Sequence, residues 1–286
     1  MAGIAKELWL SLIMEGMVPD TSFLSHSVDM TEFVEYNKLN LAEAGVDPEV
    51  LIDNDTYPVP TSQRDDIPKE LLLHTFDTKN TVVRNIEEKE SAYAKMESVV
   101  RSHRNAMVKK ISTFAAHNWC PTQNGEFTPV IASSGSVNSF GVKKVSFEDF
   151  LDMEAKFRAL DVDMNTLVAV LNAVHLSDLR KEDIKLYKEV ISSSKLFSFS
   201  IFTFSGLPYF DTTTGQKKAY GSAPGTDDTQ ATLVYCDKEV MRAMGDTEVF
   251  AKYKDPEQRG DVIGFQQRFT AYSIRNKYVG AIYSGK

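Results

Sequence analysis

The sequence predicts an α+β fold, and three observations support this class. Helical and strand-like patterns interleave along the chain without the regular spacing of βαβ units, which favours α+β over a doubly wound sheet. One long helical pattern runs from residue 86 to about residue 118. A long two-stranded hairpin is predicted near the C-terminus, between residues 247 and 274.

The composition limits the class of protein. The chain has 286 residues, 42% hydrophobic and 25% charged, as in ordinary globular proteins, and this length corresponds to one large or two small domains. The net charge of −8 argues against a generic nucleic-acid binder, which needs clustered lysine and arginine. No run of residues is long and apolar enough to span a bilayer.

Residues 1–45 are predicted to form an arm. Ile4, Leu8, Leu12 and Ile13 recur at helical spacing, and Gly16 and Pro19 follow them, so a short amphipathic helix is expected before irregular chain. Residues 46–85 contain four prolines and few large apolar groups. Two strand candidates, "LLLHTFD" and "TVVRN", predict a protruding hairpin that must pack against some other surface.

The long helix is predicted from its apolar spacing and its charges. Its apolar positions are Tyr93, Met96, Val100, Met107, Ile111 and Phe114. Glutamates crowd its start and lysines lie near its end, which matches the helix dipole, and Pro121 stops it.

The region after residue 145 alternates between helices and strands. Ser146 with Asp149 predicts a capped helix, whose expected apolar face is Phe147, Phe150, Leu151, Phe157 and Leu160. "TLVAVLN" and "ATLVYC" are typical of buried strands, "AVHLSDLRKEDIKLYKEV" of a helix, and "FSFSIF" of a half-buried strand. A glycine-rich loop, "TTTGQKKAYGSAPGTDDTQ", separates them.

The last fifty residues predict a short helix, a hairpin and a strand. "DKEVMRAMG" is expected to be a helix closed by Gly245. "TEVFAKY" runs into the hairpin and "VIGFQQRFTAYSI" runs out, with Ile263, Phe265, Phe269 and Ala271 on one face. "YVGAIYS" closes the chain.

The sequence contains little that indicates catalysis. It has no phosphate-binding, dinucleotide-binding or nucleophile-elbow motif, and its five histidines have no partner at metal-ligand spacing. Cys120 and Cys236 are expected to be reduced and buried. The pairs Asp161 with Asp163 and Asp227 with Asp228 leave open a monomeric metal-dependent enzyme. Apart from that alternative, no catalytic, cofactor-binding or metal site is expected.

The order of these elements resembles a known family. "MAGIAKELW" with "PDTSFLSHSVD", then "NIEEKESAYAKMESVVRSHRNAM", then the stretch from "ATLVYCDKEV" to "NKYVGAI" are similar to parts of short phage coat proteins. The chain thus resembles the major capsid proteins of tailed phages, with the Hong Kong 97-like fold. The resemblance implies an N-terminal arm at 1–45, an E-loop at 46–85, a P-domain with the spine helix at 86–145 and 240–275, and an A-domain at 146–239 and 276–286.

The resemblance also implies a function. Subunits would form hexamers and pentamers that close into an icosahedral shell around double-stranded DNA, without sequence-specific binding, as a virion capsid assembled in the host bacterial cytoplasm. It implies no catalytic residues, no cofactor and no membrane, and its partners would be portal, scaffolding or decoration proteins. Lys69 and Lys79 lack the context of the relatives that cross-link covalently, so no cross-link is expected. An encapsulin-like nanocompartment shell is the alternative within the same fold.

The E-loop is expected to contact a neighbouring subunit through polar groups and a few apolar anchors. These contact residues are Tyr57, Arg64, Asp65, Asp66, Lys69, Glu70, Leu72 and Phe76.

Overall fold

The computed structural model describes residues 10–11, 13–14, 17, 22–43, 53–55, 58, 67–84, 88–138 and 141–286, with backbone alone at 41–43, 67–69 and 88–95. Of the predicted N-terminal helix, the residues described at 10–11 and 13–14 are helical, and Ile13 is buried in the main core. Ile4, Leu8 and Leu12 lie outside the described residues.

Four α-helices follow in the described part of the chain: α1 Glu88–Trp119, α2 Phe147–Ala159, α3 Ala173–Glu182 and α4 Ile184–Ser193. The long helix is confirmed: α1 has 32 residues, about 48 Å at 1.5 Å per residue. Val100, Met107 and Ile111 are buried along one side of it. The predicted capping box at Ser146 and Asp149 is confirmed at the start of α2.

The helical patterns needed two corrections. The single helix expected from residue 173 is interrupted at Asp183, whose backbone is extended (φ −143°) and whose carboxylate caps the start of α4. On α2, Leu151 is exposed and Met153 takes the buried position, because Met153 follows Phe150 by three residues and so shares its side of the helix.

The strands in the described residues are β1 Val28–Asp29, β2 Val34–Glu35, β3 Lys38–Glu43, β4 Ile67–Leu72, β5 His74–Asp77, β6 Thr81–Arg84, β7 Val130–Ala132, β8 Leu167–Leu171, β9 Lys195–Leu196, β10 Phe199–Thr203, β11 Tyr209–Asp211, β12 Asp228–Gln230, β13 Thr232–Cys236, β14 Val240–Asp255, β15 Gly260–Ser273 and β16 Val279–Tyr283. They form four sheets. The two largest are the sheet of the long hairpin, β1-β14-β15 with β5 and β6, and a six-stranded sheet in the order β7-β16-β13-β8-β10-β9.

The six-stranded sheet separates two hydrophobic cores. Alternate residues of β8, β13 and β16 face opposite sides, so Val168 and Val170 join α1 and the long hairpin, while Leu167 and Leu171 join α2 and α3. Burial on both faces explains the unbroken apolar run in β8, as predicted. The first core continues from α1 into this sheet, so the predicted P- and A-domains share buried side chains.

The long hairpin is confirmed, but the short helix expected before it is wrong. The "VMRAMG" part of "DKEVMRAMG" belongs to β14, which pairs with β15 from Val240 onward. Its helix-forming residues follow the strand because Met241 and Ala243 are buried against a third core, and such packing outweighs local propensity. Gly245 closes no helix; it lies at a register shift, where an added Cβ would approach Leu73 Cδ2 to 2.8 Å and Arg268 Cβ to 2.9 Å.

The hairpin expected from "LLLHTFD" and "TVVRN" is also wrong. β5 and β6 do not pair with each other; each pairs antiparallel with β15. The hairpin that the structure forms instead joins β3 to β4, in a register that places Leu39 opposite Leu71. The reason is burial: Val83 is buried and Phe76 packs against the main core, and a protruding hairpin would expose both.

Candidate functional site

The predicted contact residues are divided between a surface and the interior. Tyr57, Arg64, Asp65 and Asp66 lie outside the described residues, and of Lys69 only the backbone is described, pairing with Leu41. Glu70 is exposed and forms an ion pair with Lys38 at 3.0 Å across β3 and β4. Leu72 is exposed, whereas Phe76 is half-buried and packs against the main core.

Phe76 belongs to the chain's own core. Its ring lies edge-on to Phe114 of α1, with centroids 5.6 Å apart, and to Phe269 of β15 at 6.3 Å. Such aromatic pairs stabilise a core by about 0.5–1.5 kcal/mol beyond their buried area. Phe76 therefore holds residues 74–84 against the rest of the subunit. We call this segment, which contains β5 and β6, the strand from β5 to β6.

Backbone and hydroxyl groups anchor that same strand to β15. Thr78 Oγ1 accepts a hydrogen bond from Phe265 N at 2.9 Å, and Thr78 N donates to Phe265 O at 2.9 Å. Asn80 lies against Gly264, where any side chain would collide with its amide oxygen. The segment that connects the β3–β4 hairpin to α1 is therefore fixed along β15. It positions the end of the hairpin that packs on β14, which we call the hairpin root.

The hairpin root is held by a small apolar core and exposes an apolar patch. Leu39 and Leu71 are buried against Met241 and Ala243 of β14. Three large side chains next to β2 and at the end of β4 are exposed, and we term them the root patch: Phe33 61%, Tyr36 98% and Leu72 61%.

A tight turn shapes this patch. Tyr36 and Asn37 adopt left-handed conformations, with φ of 44° and 65°, and connect β2 to β3. Two consecutive residues with positive φ are typical of a two-residue hairpin turn. Leu73 N donates to Asn37 O at 3.1 Å, which brings the end of β4 beside the turn. The alternation of Leu39 and Leu41 after Tyr36-Asn37 was the sequence signal for this hairpin, and the prediction of irregular chain missed it.

A groove lies between α1 and the strand from β5 to β6. It has a volume of about 740 Å³, and Phe76, Val99 and Met107 contribute apolar walls. His103 also lines it, is 7% exposed, and its Nε2 has no hydrogen-bond partner among the described residues. Burial lowers the pKa of His103, so the ring is neutral near pH 7.

The far end of the long hairpin exposes a second apolar surface. Phe250 of β14 is 52% exposed and lies directly opposite Gly264 of β15, while exposed Val82 lies opposite Val262. Directly paired residues share one face of a sheet, and the alternate residues Ile263 and Phe265 face the core that α1 covers, so Phe250 and Val82 face away from α1.

The glycine-rich loop is attached to the end of α1. Lys217 Nζ donates to the carbonyls of His117, at 2.8 Å, and of Cys120, while the Tyr220 ring lies edge-on to Phe114. Burial lowers the pKa of Lys217. The lysine satisfies carbonyls that the helix end leaves without intrahelical partners.

The polar residues flagged as possible metal ligands have other roles. Asp163 caps a short 3₁₀ turn, Asp228 accepts from Gly225 N, and Asp227 pairs with Lys286. Among the described residues no three histidine, cysteine, aspartate or glutamate side chains converge on a metal position. Cys120 and Cys236 are buried and unpaired, as predicted, and burial raises the pKa of Cys120 to about 12.

His175 is the most deeply buried histidine of the described chain. Its Nδ1 lies 2.7 Å from Thr232 Oγ1 and its Nε2 lies 3.1 Å from Ser284 Oγ. Burial lowers its pKa to about 3, so it is a neutral packing residue. No helix in the described residues combines the length and hydropathy needed to cross a bilayer.

Comparison with solved structures identifies the fold. The chain is similar to the capsid of Ralstonia phage GP4, with a TM-score of 0.66 and 10% identity over 93% of this chain and 88% of that chain. It is similar to the mature capsid of bacteriophage PhiM1, with a TM-score of 0.61 and 12% identity over 93% and 87%. A virus-like particle from Pyrococcus furiosus matches with a TM-score of 0.60 and 11% identity over 97% of this chain and 99% of that chain.

No protein-family model matches the chain, and no curated protein matches it significantly. The likeness therefore rests on tertiary structure. It confirms the predicted α+β class and the phage-capsid fold over most of the chain.

Proposed function

We propose that this chain is a shell subunit, which assembles through hexamers and pentamers into an icosahedral capsid around phage double-stranded DNA. The observation that carries the proposal is the match of more than nine tenths of the chain to capsid structures. On this proposal the protein has a structural role in the virion, assembles in the host bacterial cytoplasm, and needs neither catalysis nor a cofactor.

The exposed apolar groups support assembly. The root patch and the surface around Phe250 place large apolar side chains in water on a lone subunit. Exposed apolar side chains that lie together, as Phe250 and Val82 do on one face of the sheet, mark contact with another protein. A neighbouring copy that covered both surfaces would remove this cost at every repeat of the shell.

The contact residues of the β3–β4 hairpin remain a proposal, in a revised form. Leu72 stays as an anchor, and Phe33 and Tyr36 join it, because all three are exposed at the hairpin root. Phe76 leaves the set, since it packs within the subunit. Tyr57, Arg64, Asp65, Asp66, Lys69 and Glu70 are kept as predicted polar and anchoring contacts at the seam.

The net negative charge is compatible with a shell that encloses DNA without binding it tightly. With a net charge of −8, isolated capsomers should bind duplex DNA weakly at physiological salt. Portal, scaffolding or decoration proteins would be the other partners, and no membrane contact is proposed.

A shell with a different content is the second candidate. The virus-like particle from Pyrococcus furiosus matches this chain nearly end to end, so an encapsulin-like compartment enclosing protein has a specific observation in its favour. The two candidates share the fold and the assembly and differ in what the particle contains.

Electron microscopy of the expressed protein tests the proposal. We expect closed shells or capsomer-sized oligomers, with a scaffold protein supplied if needed, and nuclease-resistant DNA within particles recovered from phage-producing cells. Monomer alone under every condition, scaffold included, would refute the shell. Shells filled with protein and free of DNA would favour the second candidate.

A further inference from the structure

A polar cavity lies between the loop that precedes α2 and the C-terminal half of α3. Its volume is about 350 Å³, which is within the range of about 300–1,000 Å³ that small-ligand sites occupy. Among its lining residues Val145 and Asp178 are buried, whereas Ser136, Lys181 and Glu182 are exposed. The cavity therefore extends from the surface towards the interior of the subunit.

Asp178 brings an unsatisfied acceptor to this cavity. Its side chain is only 4% exposed, and its Oδ2 has no hydrogen-bond partner among the described residues. Burial raises the pKa of this carboxyl, against the opposing effects of the Val145 backbone, Lys181 and Lys144. Buried polar atoms in native proteins nearly always have a partner, so Asp178 Oδ2 indicates a donor that the subunit itself does not supply.

Glu182 adds a second carboxylate on the same side of α3. It follows Asp178 by four residues, a spacing that makes side chains neighbours on a helix. Its Oε2 accepts a hydrogen bond from Phe147 N at 3.0 Å, at the first residue of α2. The same carboxylate is exposed at the cavity, so it is placed to accept a further hydrogen bond from a ligand that also reaches Asp178.

The surroundings of the cavity favour a cation. Burial raises the pKa of Glu182, and the charges of three further carboxylates raise it more. These are Asp149, Asp183 and Glu148. Two lysines, Lys144 and Lys181, also line the cavity, but neither reaches Asp178 Oδ2, and the carboxylates outnumber them five to two. Within the described part of the chain no three ligating side chains converge on a metal position, so an organic cation with N–H donors fits these residues better than a metal ion.

We propose that this cavity binds a guanidinium group, which donates one N–H to Asp178 Oδ2 and another to the Glu182 carboxylate. A guanidinium presents its donors in a rigid planar fork and is less strongly hydrated than an ammonium, so it enters a partly buried site at lower cost. The same chemistry has two sources, an arginine side chain of another protein and a free guanidinium compound. The inference does not depend on the proposed function, because the site lies within one subunit and is measured without assembly.

Titration of the unassembled full-length subunit with methylguanidinium tests the site. We expect saturable changes in the amide chemical shifts of residues 135–146 and 178–182. Tetramethylammonium carries the same charge without N–H donors, so at equal ionic strength it should give no saturable change. No saturable response to methylguanidinium, as for a cavity that holds only water, would overturn the inference, and so would an equal response to tetramethylammonium.

Three variants test the assigned groups. Asp178→Asn should weaken methylguanidinium binding by about tenfold or more, the range for a lost hydrogen bond to a charged group. Lys181→Gln should strengthen it by about two- to threefold, because an exposed repelling charge is removed. Asp152→Asn is the matched control, since Asp152 is exposed on α2 and does not line the cavity. Equal effects of Asp178→Asn and the control would overturn the inference. If Asp178→Asn fails to fold, Glu182→Gln decides in its place, and unchanged affinity would overturn the inference.

A capped Gly-Arg-Gly peptide separates the two sources of the group. Binding of the peptide at least as tightly as methylguanidinium identifies an arginine side chain of a protein as the occupant. Binding of methylguanidinium with exclusion of the peptide identifies a free guanidinium compound. Shells from a subunit that binds neither probe would overturn this inference and leave the proposed function standing, whereas binding by a subunit that never assembles would do the reverse.

Discussion

Truncating Phe76 to alanine removes a ring that packs edge-on against both Phe114 and Phe269. Phenylalanine-to-alanine changes in a core typically cost 3–5 kcal/mol. Phe76 is only partly buried, so we expect a loss of about 2–3 kcal/mol in the free energy of unfolding, including the two ring contacts.

Urea denaturation of the unassembled subunit measures this loss. Trp119 lies in the same core, and its fluorescence reports unfolding. With a urea dependence of about 2–3 kcal/mol per molar, the midpoint should fall by about 1 M. The slope should stay unchanged, because the variant buries nearly the same surface.

Leu72→Ala is the matched comparison, from the neighbouring strand. Leu72 is exposed in the subunit, so its truncation should change the free energy of unfolding by less than about 0.5 kcal/mol. Leu72→Ala should instead raise the subunit concentration that is needed to form shells. A Phe76→Ala subunit with the wild-type midpoint and defective assembly would refute the reasoning, since it would make Phe76 a contact between subunits.

Four further outcomes are expected. Replacing residues 46–66 with a short Gly-Ser turn should leave a cooperatively melting subunit that forms no shells by electron microscopy, because loop-closure cost varies slowly with length. Lys217→Met should lower the free energy of unfolding by about 2 kcal/mol in urea titrations, since it leaves helix-end carbonyls unpaired. Gly245→Ala should reduce the melting temperature, because its Cβ meets Leu73 and Arg268. In the unfolded chain His175 gains a proton below about pH 6.5, whereas in the folded chain, where its pKa is about 3, it stays neutral. The free energy of unfolding should therefore fall by about 2 kcal/mol from pH 7 to pH 5, and the His175→Gln variant should lack this dependence on pH.

Interactions between residues close in sequence allowed much of the fold to be predicted. The α1 helix follows from apolar spacing and end charges, the start of α2 from Ser146 and Asp149, and β8 from an unbroken apolar run. These features depend on residues that are close in sequence, so a capping pair or a repeat of apolar residues indicates the helix or strand directly. The order of such elements, together with stretches similar to parts of short phage coat proteins, carried the resemblance that predicted the phage-capsid fold.

Long-range pairing was decided only in the tertiary structure. The segment "VMRAMG" has helix-forming residues, yet it is a strand because β15 pairs with it and a third core covers Met241 and Ala243. Phe76 was predicted as an apolar anchor of the protruding hairpin at the seam, but its ring partners Phe114 and Phe269 lie 38 and 193 residues further along the chain. The groove at His103 was likewise hidden, since its walls come from α1 and from a strand that only β15 holds in place. Burial by distant residues leaves no local pattern, so the sequence by itself determined the elements with strong local signals, such as α1 and β8. Packing between distant residues decided the strand at "VMRAMG", the pairing of β5 and β6 with β15, and which surfaces stay free.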